Sequence, residues 1–427
     1  MSERDTIFAL SSGRPPAAIS VIRISGPKAH EAGRLICGEL PRARMASVRE
    51  LRHFDSSDLL DHALVLRFDS PASSTGEDCI EFQCHGGRAV VDGVLTALSE
   101  IVGIRPAQPG EFTRRAFENG RIDLTEAEGL SDLIEAETES QRKAALVLAE
   151  GGLRRQIDVW QARVLALSAE AERTIDYDDD DVPVDPKLFR ECDAFVIELR
   201  EWVGSPRIEP LKEGLRVVVA GPPNAGKSSL LNAIAGQDRA IVTAVPGTTR
   251  DHIEVPLSVA GVPVLLTDTA GLRFTDDEVE AIGVARAAAL VEAADVLLWL
   301  GAPEAAPQHQ HLIRVHAKAD LADRAQAPPG SFAVSATTGV GLTELLERIG
   351  EECHGLLPGE GSIALNRRQA AHVAEAARAL GEASLATELA IAAEGLRQAR
   401  GAFDRLTGRA GVEDMLDALF SRFCLGK

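Results

Sequence analysis

The chain has 427 residues, enough for about three domains with cores of their own. Its 45% hydrophobic content is ordinary for a globular protein, while 65 acidic residues against 45 basic give a net charge of −20, which argues against a free-standing nucleic-acid binder. No apolar run reaches membrane-spanning length and nothing near Met1 reads as a signal peptide, so the expectation is a cytoplasmic protein. The six cysteines, Cys37, Cys79, Cys84, Cys192, Cys353 and Cys424, show neither zinc-pair spacing nor a disulfide framework, and read as reduced thiols.

In chain order, residues 1 to about 118 mix short strand-like runs (AAISVIRIS, HALVLRFD, CIEFQC) with glycine turns. AVVDGVLTALSEIVG reads as an amphipathic helix, so this stretch is α+β. From about 119 to 211 the pattern is helical. Leu153, Ile157, Trp160, Val164 and Leu167 form one apolar stripe of a long helix, with Trp160 read as core. YDDDD from Tyr177, followed by VPVDP, reads as a solvated break between helices.

Residues 212 to 360 carry the densest chemistry. A buried apolar run, Leu215 to Ala220, leads into GPPNAGKSSL and a helix. The pattern G-x-x-x-x-G-K-[ST] is a phosphate cradle built from converging backbone N–H groups at a helix N-terminus. Lys227 reaches the β/γ-phosphates and the Ser228 hydroxyl ligates Mg²⁺. PGTTRD, Pro246 to Asp251, offers a switch threonine, Thr249, as second Mg²⁺ ligand. VLLTDTAGL ends a strand in Asp268, suited to the metal's water shell, and Gly271 N–H faces the γ-phosphate. HLIRVHAKAD brings Lys318 and Asp320, the latter matching the carboxylate that pairs with guanine N1–H and N2–H; FAVSA brings Ser335 and Ala336 to the base-side loop. Four such segments in order predict a GTPase. The expected nucleotide-binding set is Asn224, Ala225, Gly226, Lys227, Ser228, Ser229, Thr243, Ala244, Val245, Pro246, Gly247, Thr248, Thr249, Asp268, Thr269, Ala270, Gly271, Lys318, Asp320, Ser335, Ala336 and Thr337. Two positions depart from the usual pattern. Ala317 stands where Asn-Lys-x-Asp has its asparagine, and Leu272 stands where Ras has a water-orienting glutamine. The catalytic group must therefore come from elsewhere. From about 361 the chain is again alanine- and leucine-rich helix, and helix on both flanks predicts one bundle with the G domain inserted.

Asn224 in the phosphate loop, GTTRD and DTAGLR resemble the bacterial tRNA-modification GTPase family called MnmE or TrmE. So do RISGP from Arg23, TGEDCIEFQCHGG from Thr75, PGEFTRRAFENGRIDLTEAE from Pro109 and FCLGK from Phe423, so the likeness spans the chain. The resemblance implies a multidomain α/β protein. It has a Ras-like P-loop GTPase domain inserted in an α-helical bundle and an N-terminal α+β folate-binding-like domain that dimerises. Its expected domains are 1–118, 119–211, 212–360 and 361–427. It implies K⁺ held by Asn224, Thr243, Val245 and Thr248, a cation standing where an arginine finger stands elsewhere. In DDEVEAIG it places the water-orienting acid at Glu280. It implies a reduced folate of the 5-formyltetrahydrofolate type near Arg23, Glu81, Arg121 and the terminal Lys427, with arginine at 121 where lysine is common. Partners are a second copy in a homodimer, the FAD-binding protein MnmG in a heterotetramer or larger assembly, and tRNA; no membrane is expected. The activity is K⁺-activated GTP hydrolysis in the installation of an aminomethyl-type group at wobble-uridine C5. A ribosome-assembly switch related to Era or Der, or a regulatory switch without folate chemistry, are the alternatives. Cys424 lacks a neighbouring His or Lys and reads as structural, and His85 reads as a turn histidine.

Overall fold

The computed structural model describes residues 5–176, 186–236, 254–269, 287–324, 326–359, 361–410, 416, 419–421, 423 and 426. The Tyr177 acidic run lies outside them. The chain packs as two compact units, 1–131 with 404–427, and 132–403. These boundaries run differently from the four stretches read along the sequence.

The first unit is built on a six-stranded sheet. Its strands are β1 (Thr6–Leu10), β2 (Ile19–Ser25), β3 (Ser47–Arg52), β4 (Leu59–Phe68), β5 (Cys79–His85) and β6 (Ile104–Pro106), in the order β3-β4-β5-β2-β1-β6. Only β1–β6 is parallel. The period-2 pattern of ISVIRIS puts Ile22 and Ile24 on one face and Arg23 on the other. The first face, with Phe8, Val65, Ile80 and Phe82, is covered by α1 (Ala29–Cys37) and α2 (Arg88–Ser99) through Ile36, Val94 and Leu98. On the second face Ile7 and Ala9 pack on Phe112 of α3 (Glu111–Glu118). The edge strand β3 carries Arg49, Glu50 and Arg52, charges that discourage pairing with another chain. After α4 (Leu124–Glu135), the far end of the chain returns: Leu416, Phe420 and Phe423 pack on Leu124, Ala127 and Phe117.

The second unit starts with α5 (Glu139–Ala149), α6 (Gly152–Asp176), α7 (Pro186–Gly204) and α8 (Glu209–Glu213). The stripe anticipated on α6 is buried throughout. The G domain follows. Its strands β7 (Leu215–Ala220), β8 (Glu254–Val259), β9 (Val262–Asp268), β10 (Val296–Trp299), β11 (Leu312–Ala317) and β12 (Phe332–Val334) run in the order β12-β11-β10-β7-β9-β8. All neighbours are parallel except the β8–β9 hairpin. Near-continuous apolar runs such as LRVVVA suit strands covered on both faces. Helices α9 (Lys227–Ala235) and α10 (Leu342–Leu356) belong to this domain, and α11 (Arg367–Ser384) and α12 (Leu389–Thr407) follow it.

The flanking helices share one core. Trp160 of α6 stacks on Phe403 of α12, with ring centroids 5.6 Å apart, and meets Trp202 of α7 edge-on at 5.1 Å. Its indole N–H donates to Glu198, which also takes Arg163, so the one polar atom of this large side chain is satisfied. Helices some 200 residues apart in sequence thus bury each other's apolar faces, and the G domain is inserted between them. Among the described residues no helix is long and apolar enough to cross a membrane.

Candidate functional site

The nucleotide site forms at the carboxyl end of β7. The loop leaving that strand needs unusual backbone. Asn224 sits at φ 59° and Gly226, which caps α9, at φ 102°, a region that is strained for any residue with a Cβ. Lys227 opens the helix and is only 7% exposed. Its ammonium donates to the Gly221 and Pro222 carbonyls, 2.9 Å each. Two of its three donors therefore brace the loop. Ala225 is buried and Ser229 exposed.

The next strand supplies the acid. Asp268, 3% exposed at the end of β9, accepts from Ser228 Oγ at 2.6 Å. Thr269 turns back, its N–H and hydroxyl both donating to the Val219 carbonyl. Ser228 and Asp268 present hard oxygen donors side by side, a donor set that suits Mg²⁺ or its bound water. On the base side, Lys318 (φ 62°) donates from Nζ to the Asn224 carbonyl at 2.8 Å, tying the base loop to the phosphate loop. Ala319 N–H donates to Val334 O, and the buried Ser335 Oγ accepts from Thr338 N–H. Asp320 and Thr337 are exposed and Ala336 is half-buried. Ala317 is buried and offers no polar side-chain atom. The structure thus brings together Asn224, Gly226, Lys227, Ser228, Asp268, Thr269 and Lys318. Thr243, Ala244, Val245, Pro246, Gly247, Thr248, Thr249, Ala270, Gly271, Leu272 and Glu280 lie outside the described residues. Of the potassium set only Asn224 is therefore described; it is exposed, and amide oxygen is a suitable donor for such a cation.

Two of the folate candidates, Arg23 and Glu81, sit on the sheet of the first unit. Arg23 and Glu81 are cross-strand partners, and both Arg23 Nε and Nη2 reach Glu81 Oε1 at 2.8 Å. The guanidinium lies 5.7 Å from the Phe112 ring centroid. A cation, a carboxylate and an aromatic floor are groups that suit a ligand with an anionic tail and a flat heterocycle. Arg121 is exposed, and its side chain lies against the Gly76 turn, which Asn119 holds by donating to Thr75 O at 2.7 Å. Lys427 and Cys424 lie outside the described residues, but their neighbour Gly426 accepts from Ser11 Oγ at 2.7 Å. The tail therefore meets the end of β1.

Sequence reasoning missed a network beside this pair. Ser25 Oγ donates to Glu77 Oε2 and shares a hydrogen bond with Thr75. Arg115, 5% exposed, bridges Glu77 and Glu111, and Glu111 also takes Arg105. Ser25, Thr75 and Glu77 belong to RISG and TGED, so motif membership was the available signal. A cleft of about 710 Å³ opens on the other side of β1, lined by Phe8, Leu10, Arg14, Asp92, Leu95 and Thr96. It does not include Arg23 or Glu81.

Other groups carry less. His85 is fixed by Asp61, which accepts its ring N–H at 2.7 Å and its backbone N–H at 2.8 Å. His30 lies between Asp69 and Asp78, but its two nitrogens face different carboxylates and Arg67 already holds Asp69, which is ion-pair rather than metal geometry. The thiols of Cys37 and Cys192 are pushed up by burial to about 11 and those of Cys84 and Cys353 to about 12, which leaves them inert.

A helix-seated lysine under a left-handed loop, with a serine–aspartate pair from the neighbouring parallel strand, defines the class of P-loop GTPases. The comparisons take this further. The family model for the GTP-binding protein TrmE N-terminus matches residues 6–121, and that for the MnmE helical domain matches residues 124–424. The tRNA modification GTPase MnmE of Rhizorhabdus wittichii is 52% identical over 100% of this chain and 97% of its own. Those of Novosphingobium aromaticivorans and Zymomonas mobilis subsp. mobilis are 48% and 49% identical, each over 99% of this chain and 100% of their own. Among solved structures, the G domain of the T. maritima FeoB iron transporter is similar over 32% of this chain and 98% of its own, at 24% identity and a TM-score of 0.24. The chain belongs to the tRNA modification GTPase MnmE family, and its enzymatic class is that of a GTP hydrolase in tRNA modification.

Proposed function

We propose that this chain is a cytoplasmic, K⁺-activated GTPase that modifies the wobble uridine of certain tRNAs together with MnmG, using a folate-derived one-carbon unit. The Ser228–Asp268–Lys227 cluster, set in a chain that its relatives match end to end, carries the reading. Lys227 binds and neutralises the β/γ-phosphates. Ser228 and Thr249 would hold Mg²⁺, which would supply charge neutralisation at the phosphates. Asn224, with Thr243, Val245 and Thr248, would hold K⁺, which would supply the positive charge that an arginine finger supplies elsewhere. Gly271 N–H positions the γ-phosphate and Glu280 orients the attacking water, a role Leu272 cannot fill. Asp320 reads the guanine edge, and Ser335, Ala336 and Thr337 close the base side. Functionally the chain divides into 1–118 for folate and dimerisation, 119–211 and 361–427 for the helical bundle, and 212–360 for GTP.

At equal ionic strength, GTP turnover of the wild type should be faster in K⁺ than in Na⁺. Asn224→Ala should abolish the difference while leaving GDP binding nearly intact; equal wild-type rates would reject the cation's role. For the folate, Arg23, Glu81, Arg121 and Lys427 supply anionic and heterocycle anchors. Arg23→Ala and Glu81→Ala should each weaken 5-formyltetrahydrofolate binding and tRNA modification while sparing GTP hydrolysis. One observation favours a second reading. Arg23 and Glu81 satisfy each other, as a structural cross-strand pair would, which fits a regulatory GTPase without folate chemistry. Isothermal titration of the full-length dimer with the folate separates the two: no heat of binding selects the second.

A further inference from the structure

We infer that Ser140 is a positioning residue that couples the nucleotide site to tRNA modification, by fastening the β8–β9 turn to helix α5. The inference rests on membership of the GTPase family and not on the potassium or folate proposals. The hairpin is placed to carry such a signal. β9 ends in Asp268, the acid that holds Ser228, and β8 begins where the segment containing Thr249 ends. β8 runs from that end of the sheet to a two-residue turn, Ala260–Gly261, at φ 50° and 80°, and β9 returns from it to Asp268. Positive φ at both positions marks the tight turn that matches the twist of paired strands. From that turn to Asp268 the seven residues of β9 span about 23 Å. Six cross-strand pairs, Val259–Val262 through Glu254–Thr267, make the hairpin a stiff lever.

The far end of this lever is held by two helices, α5 and α10. The Ser140 backbone N–H and its Oγ both donate to the Gly261 carbonyl, at 3.2 and 2.8 Å. His354 Nε2 lies 3.3 Å from the Ala260 carbonyl. Gly350 lets α10 approach, because a Cβ there would sit 2.8 Å from Ala260 Cβ. Ser140 is not needed to start its own helix. The capping box of Thr138 and Gln141 does that, and Gln141 Nε2 reaches further to Leu211 O in α8, the helix just before β7. The first turn of α5 thus contacts the two chain segments that lead to the nucleotide site, and the Ser140 hydroxyl is spent on the hairpin. A shift of Asp268 or of the β8 start is delivered to α5, and from α5 to the bundle.

The test uses full-length Ser140→Asp, Ser140→Ala and Ser140→Thr. Aspartate in a first helical turn favours α5, so the variant folds, but its charge repels the Gly261 carbonyl. Ser140→Asp should keep kcat and KM for GTP within about twofold of wild type, and cut tRNA modification by about fivefold or more, the loss expected from one uncoupled hydrogen bond and its repulsion. Modification is read by mass spectrometry of tRNA nucleosides in a strain lacking the native protein. Ser140→Ala should fall between, and Ser140→Thr should keep the function. In the wild type, hydrogen exchange at the Ser140 amide should differ between GDP and a non-hydrolysable GTP analogue. Unchanged modification in Ser140→Asp, parallel loss of GTP turnover and modification, or identical exchange in both nucleotides would each overturn the inference.

Discussion

Gly110→Ala tests how the end of the chain is held. Gly110 caps α3 at φ 70° and ψ 2°, and a Cβ built there runs into the Phe420 carbonyl, with the carbonyl carbon only 2.8 Å away. Alanine in that left-handed well costs about 1–2 kcal/mol before any clash. Ordinary contact needs well over 3 Å, so the Phe420 backbone must also give way. What it gives up is substantial. Leu416, Phe420 and Phe423 are buried side chains in one cluster with Leu124 and Ala127, and burial of each contributes about 1.5–3 kcal/mol. Complete undocking would therefore forfeit about 5–9 kcal/mol, and a displacement short of that places the loss near 2–4 kcal/mol. The probe is the Phe423 amide, which donates to Phe420 O at 3.1 Å. Its hydrogen exchange should accelerate about 10²-fold, the equivalent of roughly 2.8 kcal/mol of local opening. GTP turnover should hold, because the phosphate loop belongs to the other compact unit. tRNA modification should fall if the tail serves the folate site. An unchanged Phe423 exchange rate would refute the reasoning.

Three further outcomes follow from named side chains. Glu280→Ala should lower GTP turnover by about 10²–10⁴ with nucleotide affinity kept, as for loss of a positioned acid or base; unaffected turnover removes Glu280 from the mechanism. Ala317→Asn should restore an amide beside guanine N7 and tighten GDP binding by about 5- to 150-fold, worth roughly 1–3 kcal/mol; equal or weaker binding in titration shows that residue 317 does not face the base. Burial pushes the Glu111 carboxyl up, but Arg105, the Gln108 N–H and Arg115 outweigh it and hold the group at about 2, against an ordinary 4.5. A depressed carboxyl stabilises the fold above its unfolded value and loses that contribution as pH falls from about 4.5 toward 2. Melting of Glu111→Gln across that window should show a shallower acid limb than wild type, and identical limbs would discount the network.

The sequence by itself determined whatever is local. The phosphate loop is legible because its chemistry needs adjacent residues: a strand, a glycine at φ 102°, then Lys227 and Ser228 at a helix start. The stripe of α6 is legible because a 3.6-residue period places Leu153 through Leu167 on one face. Alternation fixed which face of β2 carries Arg23. Tertiary structure alone decided the pairings that cross long stretches of chain. Arg23 meets Glu81 across 58 positions, and Ser11 meets Gly426 across 415. Trp160 stacks on Phe403, a partner more than 200 positions away on the far side of the G domain in sequence. Ser140 is an ordinary helix-start serine until the hairpin turn is set against it, and Gly110 is an ordinary cap until Phe420 arrives. Propensity and periodicity report what a residue does to its neighbours in sequence. Which distant surface it then meets depends on how buried apolar faces are shared out among elements, and no local pattern carries that information.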